Sequence, residues 1–269
     1  MINITEVIEG RKEWSGEITV KGVVIVKKGA MLTVARGTVV RFFPEDLDGD
    51  GIGDAELRVE GSIYILGTEK EPVVFTSASE RPAPADWKFL MINHADEARV
   101  EYAVFEYAFS GIQIHYTRGT FRKIVSRHNV DGFRFSTAPV VLEDSILMCN
   151  ENGIRYEERG AGAVIRNNII SGNRVGIFAV VKCKGLTSIT GNNIAGNRSY
   201  NVKMGIEQTR DINISGNWFG HADPKKVAES FFDGRLEPEL GTVQFEPTLK
   251  KRSETSGPGD KLVERWSCL

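Results

Sequence analysis

The stretch IVSRHNVDGFRF, residues 124–135, decides the fold once its neighbours are set beside it. Its pattern returns in VFEYAFSGIQI (104–114), ILMCNENGIRY (146–156), IISGNRVGIFA (169–179) and NIAGNRSYNVKM (193–204). Anchored on the apolar column Val100, Phe121, Leu142, Ile165, Ile189 and Ile214, the steps are 21, 21, 23, 24 and 25 residues. Five residues further on, Phe105, Ser126, Leu147, Ile170, Ile194 and Phe219 form a second, mostly apolar column. Eight on stand Ala108, Asn129, Asn150, Asn173 and Asn197; eleven on stand Gly111, Gly132, Gly153 and Gly176. A period of this size also fits leucine-rich repeats, but those carry an L-x-x-L-x-L pattern and a helical segment in each unit. Here apolar residues alternate at a spacing of two, with Asn and Gly at the breaks, which is the grammar of strands and turns. Short coils of this kind bury their apolar faces only by stacking on one another. The fold expected is all-β, a right-handed parallel β-helix.

On the N-terminal side, ITVKGVVIV (18–26) and LRVEGSIYI (57–65) match in pattern 39 residues apart, which reads as about two coils of a looser repeat. Glu101, Arg122, Glu143 and Arg166 fall in one outward column with alternating sign, so each meets an opposite charge in the next coil, ~4.8 Å away. The Asn column reads as a structural ladder, with asparagine supplying the left-handed backbone of a corner. At the far end, GNWFGHADPKKVAESFFDG supplies a last strand and a short helix with Asp223 as N-cap, Pro224 at its first position and Gly234 at its stop. GTVQFEP adds a closing strand. The organisation expected is a β-helix over 1–220 with an acidic loop at 44–56, a cap over 221–249 and a flexible tail over 250–269.

The chain of 269 residues is long enough to bury a large core. A net charge of −2 gives no electrostatic reason to expect nucleic acid or an anionic membrane. No window approaches the ~18 apolar residues of a membrane span. The first residues, MINITEVIEGRKEW, lack a basic region followed by an apolar core, so no signal peptide is visible. Three cysteines, Cys149, Cys183 and Cys268, allow three pairings and leave one thiol over.

With these residues in view, the sequence resembles the secreted bacterial parallel β-helix proteins of the pectate-lyase-like and periplasmic copper-maturation type. The resemblance is carried by WSGEITVKGVVIVKKGAMLTVARGTVVRF, by the NNIISGN and GNNIAGN units, and by GNWFGHADPKKVAESFFDGRLEPELGTVQFEP. It covers roughly residues 14–248. It implies the fold and an extracellular or periplasmic home; it does not imply one activity, because such folds serve lyases, hydrolases, adhesins and binding modules alike. Copper, by analogy with the copper-maturation relatives, needs clustered Met and His. The five methionines are scattered, and His94, His115, His128 and His221 occupy unmatched columns.

Two features carry chemistry. In DLDGDGIGDAEL (46–57), Asp46, Asp48 and Asp50 take the first, third and fifth places of a D-x-D-x-D-G calcium loop. The Ile52 carbonyl, Asp54 and Glu56 are the further candidate ligands, Glu56 standing one residue before the usual acidic position. Calcium is the cofactor expected, pinning the loop to the solenoid wall; the alternative is a charged, solvated turn. The second feature is Arg134 and Arg155 stacked near His115 and Glu157, an arrangement able to grip an acidic sugar as well as to neutralise itself. These four are the only catalytic candidates, for a polysaccharide lyase or glycoside hydrolase, and no carboxylate pair occupies matched positions in adjacent coils. Tyr102, Tyr107, Tyr116 and Phe178 are candidates to stack on sugar rings. The function expected is a non-catalytic envelope or extracellular module that binds a polysaccharide or another envelope protein. The competing readings are the enzyme and a structural subunit of a larger assembly.

Overall fold

The computed structural model describes residues 4–258. The chain winds as a parallel β-helix whose coils deposit one strand on each of three sheets in turn. The first sheet has ten strands, from Ile4–Ile8 to Phe231–Phe232, and the second and third have eight each. Every ladder within them is parallel. The apolar columns land as the periodicity requires: Val100 pairs with Phe121, Phe121 with Leu142, Leu142 with Ile165 and Ile165 with Ile189. All five point into one continuous core. In the next column Phe75 and Phe105 stack at 4.9 Å between ring centroids; elsewhere in the core Phe42 lies on Trp87, from another sheet, at 4.1 Å. Ser126 interrupts this column without cost in hydrogen bonding. Its hydroxyl donates to Gly132 O at 2.8 Å and accepts from Asn129 Nδ2 at 3.0 Å.

The asparagine column is a buried hydrogen-bonded ladder. Asn129 Nδ2 donates to Asn150 Oδ1 at 3.1 Å, Asn150 to Asn173 at 3.0 Å and Asn173 to Asn197 at 3.0 Å. Each of these oxygens also accepts the backbone N–H of the residue one coil earlier. A second ladder of the same design, Asn168, Asn192 and Asn217, runs along another corner. The asparagines do not themselves take the left-handed conformation. In the first ladder the residue before each one does: His128, Cys149, Gly172 and Gly196 have φ between 55° and 70°. The sequence expectation is corrected accordingly: the asparagine follows the left-handed residue, and its side chain hydrogen-bonds from coil to coil. The glycine column follows from the ladder. A Cβ at Gly132 would lie 2.8 Å from Asn150 Nδ2, and one at Gly153 2.9 Å from Asn173 Nδ2.

Three members of the charge column pair as expected, with Glu143 held between Arg122 at 2.6 Å and Arg166 at 2.5 Å, while Glu101, in register with Arg122, pairs instead with Arg99 on its own strand. In the first hundred residues the spacing is corrected. Val23–Val26 pairs directly with Glu56–Val59, Val24 opposite Leu57, so the two segments are one coil apart. The acidic loop lengthens that coil, and the 39-residue match compares segments that turn different corners. At the far end Asp223 caps the helix Pro224–Ala228, accepting from Lys225 N at 3.0 Å. The helix is shorter than Gly234 implied, because Phe231–Phe232 leaves it to become the tenth strand of the first sheet. Val243–Gln244 pairs with Ile212–Asn213 in a separate two-stranded sheet. Phe231 meets Phe219 and Phe245 edge-on, at 5.2 and 5.3 Å, and closes the core. Residues 250–258, expected to be flexible, are instead tied down. Ser253 exchanges two hydrogen bonds of 2.9 Å with the Asn193 side chain, and Gly257 N donates to Asn167 O at 2.8 Å. The rest of the expected tail, 259–269, lies outside the described residues.

Replacing Asn150 by alanine removes the partner of Asn129 N and the carboxamide donor to the buried Ser126 carbonyl. At ~1–3 kcal/mol for each orphaned group, the loss should be several-fold larger than for the exposed Arg166→Ala, expected at under ~1 kcal/mol. Chemical denaturation of the two variants checks this.

Candidate functional site

The acidic loop joins Val39–Phe42 to Glu56–Val59. Asp46 accepts from Gly49 N at 2.7 Å through one oxygen and from Gly51 N at 2.9 Å through the other. Gly49 and Gly51 have φ of 75° and 83°, where a side chain is strained, so the alternating glycines are demanded by the backbone. The Asp48 carboxylate accepts from Asp50 N, and that of Asp50 from Ile52 N at 2.9 Å. The three carboxylates each bring an oxygen within 4.8 Å of the others, all exposed. The hydrogen bond from Gly51 holds the Asp46 carboxyl below the usual aspartate range. Asp54 and Glu56 do not join them. Asp54 accepts from Lys88 Nζ at 2.5 Å and from Leu47 N at 2.8 Å, and Lys88 keeps its carboxyl below the ordinary range. Glu56 is buried, its carboxyl pushed up by burial against the pull of Arg58, its ion-pair partner. Ile52 lies over a cavity of about 370 Å³ beneath the loop, which Asp48, Asp50 and Lys88 also line. The loop is anchored independently through Gly53, whose N–H donates to Ala85 O at 2.9 Å and whose absent Cβ would strike Asp86 O.

The second constellation lies on the outward face of the ten-stranded sheet, across Ala108–His115, Asp131–Ser136, Asn152–Glu157 and Val175–Val181. Alternation sends Ile112, Ile114, Phe133, Phe135 and Ile154 into the core and turns the residues between them outward. Register then stacks Gln113, Arg134, Arg155, Phe178, Lys203 and Phe232 in one outward column. Beside it runs a second column, Ser110, Asp131 and Asn152.

The two arginines meet as expected, and Asp131 joins them. Its Oδ2 is 3.6 Å from Arg155 Nη1 and 4.0 Å from Arg134 Nη1, while Oδ1 accepts from Asn152 Nδ2 at 2.8 Å. These separations from the guanidiniums exceed hydrogen-bond length, and Asp131 Oδ2 is left without a hydrogen bond. Arg155 packs over Phe178 at 5.6 Å, and Lys203 lies over the same ring and over Phe232. The other two candidates are engaged by other partners. Glu157 accepts from Arg159 Nε at 2.8 Å, and Gln113 donates to His115 Nε2 at 2.9 Å. Burial, then the Arg134 charge, holds the His115 imidazole below its ordinary range, consistent with a neutral, accepting ring.

Each of the aromatics expected to meet sugars has a neighbour against its ring, Phe178 having Arg155 and Lys203. Tyr116 stacks on His94 at 4.5 Å, Tyr107 on His128 at 5.5 Å, and Tyr102 lies under Lys123. Phe178 alone of the four sits on the long outward column. The sequence conceals Asp131 and Asn152 because each precedes a glycine. The dipeptides DG and NG signal a tight turn, yet here they fall inside strands. Cys183 is a buried free thiol, pushed up to about 12 by burial, and is no nucleophile at neutral pH.

With the coil register and this face established, comparison with known proteins gives one match. The family model described as "Periplasmic copper-binding protein (NosD)" matches residues 48–230, more than half of the chain. The chain belongs to the NosD family. The match begins inside the acidic loop and runs through the Asn ladders to the capping helix. No curated protein and no solved structure matches the chain. Among the described residues, no helix is long and apolar enough to cross a membrane.

Burial dominates the Asp131 carboxyl and pushes it above the aspartate range, with the Asn152 hydrogen bond and the two guanidiniums pulling back. The native protein therefore keeps this proton to higher pH than the unfolded chain does, and the Asp131 contribution to stability declines as pH rises from the unfolded to the native value. Melting temperatures of wild type and Asp131→Asn, compared from about pH 3 to 8, should diverge in favour of the variant across that window and run parallel above it.

Proposed function

We propose that the chain is a non-catalytic module of the bacterial envelope, with a calcium-held loop, that binds a glycan or protein partner on the outward face of its long sheet. The observation that carries the reading is the composition of that face. Its outward column is in parallel register over many coils, and its polar groups are arranged to hold rather than to react. A glycosidase needs two carboxyl groups flanking the bond it cleaves. Here Asp131 is buried beneath two guanidiniums and Glu157 is committed to Arg159. A lyase needs a base poised over an open subsite, and His115 is engaged by Gln113. The family description supports a periplasmic setting.

Copper does not fit the residues present. Among the described residues, the one set of three convergent His, Cys, Asp or Glu side chains is the Asp46–Asp48–Asp50 triad, all hard oxygen donors. His94 and His128 are stacked on tyrosines, and Cys183 is buried and protonated. Oxygen donors alternating with glycine suit calcium instead, with Asp46, Asp48 and Asp50 as the charged ligands and the Ile52 carbonyl beside them. Asp54 and Glu56 would serve it indirectly, through Lys88 and Arg58.

Two measurements test this reading. Calorimetric titration of calcium into chelator-stripped protein should give micromolar binding and a raised melting temperature, both abolished by Asp48→Ala. Absence of heat and shift would make the loop a solvated turn. For the face, a photo-crosslinking residue at position 178 should capture an envelope component in a bacterial periplasm, while one at Ser171 on the third sheet should not. Equal capture at both positions, or none at 178, would remove the face from the function.

A further inference from the structure

We propose that Arg134, Arg155, Asp131 and Gln113 form a subsite for an acidic glycan: a sugar ring that carries a carboxylate or sulfate beside free hydroxyls. The inference rests on the reading of this face as a ligand surface and adds the chemistry of the ligand.

Its basis is a concentration of unpaired polar atoms. Native proteins pair nearly all their buried polar groups, so each exception calls for an explanation. Among the described residues, the buried side-chain atoms without a hydrogen bond are Ser110 Oγ, Gln113 Oε1, Asp131 Oδ2, Thr137 Oγ1 and Arg155 Nε. Four of these lie on three consecutive strands of one sheet, and Thr137 follows directly at the corner. Ser110 and Asp131 are fully buried and Gln113 is 8% exposed, whereas the Arg134 and Arg155 side chains remain 25% and 29% exposed. The arginines are therefore the accessible rim and the others the floor. The charges are unbalanced as well. The two guanidiniums share the single Asp131 carboxylate, since Glu157 is taken by Arg159 and Glu151 by Arg174.

The orphaned atoms specify what completes them. Arg155 Nε and the two guanidinium ends are donors and call for an anion that accepts from both coils. Asp131 Oδ2 and Gln113 Oε1 are acceptors and call for donors a few ångströms away. A bare inorganic anion answers the first requirement, leaves the acceptors unpaired and sits against the Asp131 charge. A neutral glycan answers the second and leaves the guanidiniums unmatched. A sugar acid presents an anion and hydroxyl donors on one rigid ring. Arginine is suited to the task, because its planar fork accommodates such an anion bidentately. The same column continues with Phe178, whose ring lies under Arg155 and Lys203, so a further cation lies within two strands of Arg155, at ~4.8 Å per strand. An outward row running over several strands fits an oligomer rather than a single sugar.

The test is calorimetry on the full chain with four probes: an oligouronate, a sulfated oligosaccharide of similar length, the oligouronate after methyl esterification, and inorganic sulfate. One or both acidic oligomers should bind, more weakly as salt is raised, and which of them binds distinguishes carboxylate from sulfate. Arg134→Gln and Arg155→Gln should each weaken binding roughly tenfold or more, and esterification should do the same. Arg166→Gln, on another sheet, should leave affinity unchanged. If a glutamine variant melts early, Arg155→Lys keeps the charge but loses the fork and should still bind the acid less tightly. Equal affinity for the esterified oligomer, or for well-folded arginine variants, would overturn the acidic subsite and leave the face a neutral binding surface. Inorganic sulfate binding as tightly as the sulfated oligomer would overturn the need for a sugar. No binding by either acid would overturn the subsite alone, because capture at position 178 decides the face independently.

Discussion

Each coil of this protein is incomplete without the coils above and below it. A single turn presents unpaired backbone groups along both edges and an apolar lining too small to close, so stability resides in the vertical stack. The two asparagine ladders hold that stack in register. Each carboxamide in them gives its hydrogens to the coil beneath or beside it, and its oxygen takes a backbone N–H from the coil before. The interaction is buried, directional and repeated, and slipping one coil by a single residue would strand every group in it at once. The glycine column is a consequence of the same ladder, since the adjacent backbone must pass within van der Waals distance of the carboxamides.

The strict register has a functional consequence on the outside of the solenoid. Residues at equivalent positions in successive coils are brought to strand spacing whether or not their chemistry is compatible. Where the signs alternate, as at Arg122, Glu143 and Arg166, the result is an exposed charge ladder of modest energy. Where they do not, as at Arg134 and Arg155, like charges are stacked, and the fold tolerates this with Asp131 set between them, outside hydrogen-bonding range. The acidic loop is another excursion from the same wall. Its three aspartates crowd together while Gly53 and the Asp54–Lys88 pair fasten its end to the neighbouring coil. Both features concentrate charge on the first sheet, on a scaffold whose interior is almost entirely apolar.

Much of this is legible in residue order, because solenoid repetition writes the same environment into the chain several times over. The Val100 column, the Asn129 column and the Glu143 ladder each announce themselves through residues spaced by one coil. What escapes is whatever does not repeat or mimics another signal. The coil from Val24 to Leu57 is misread because an inserted loop changes length without changing the strand pattern. Asp131 and Asn152 are hidden because each precedes a glycine and so resembles a hairpin turn. Residues 250–258 have a polar, glycine- and serine-bearing composition that is ordinary for a mobile tail, yet Asn193 offers both a donor and an acceptor to Ser253.

The parallel β-helix, its period, its inward columns and the stacking of Arg134 on Arg155 follow from residue order, because periodic burial is written in spacing alone. So does the sharing of one glycine-alternating loop by Asp46, Asp48 and Asp50. Which charges are already spent is a different matter, and the folded arrangement settles it. Asp54 goes to Lys88, Glu56 to Arg58 and Glu157 to Arg159, while Asp131 Oδ2, Gln113 Oε1 and Arg155 Nε stay without a hydrogen bond on one face. Such pairing turns on distances of a few tenths of an ångström between side chains on different strands and loops, and those distances are set by packing rather than by spacing.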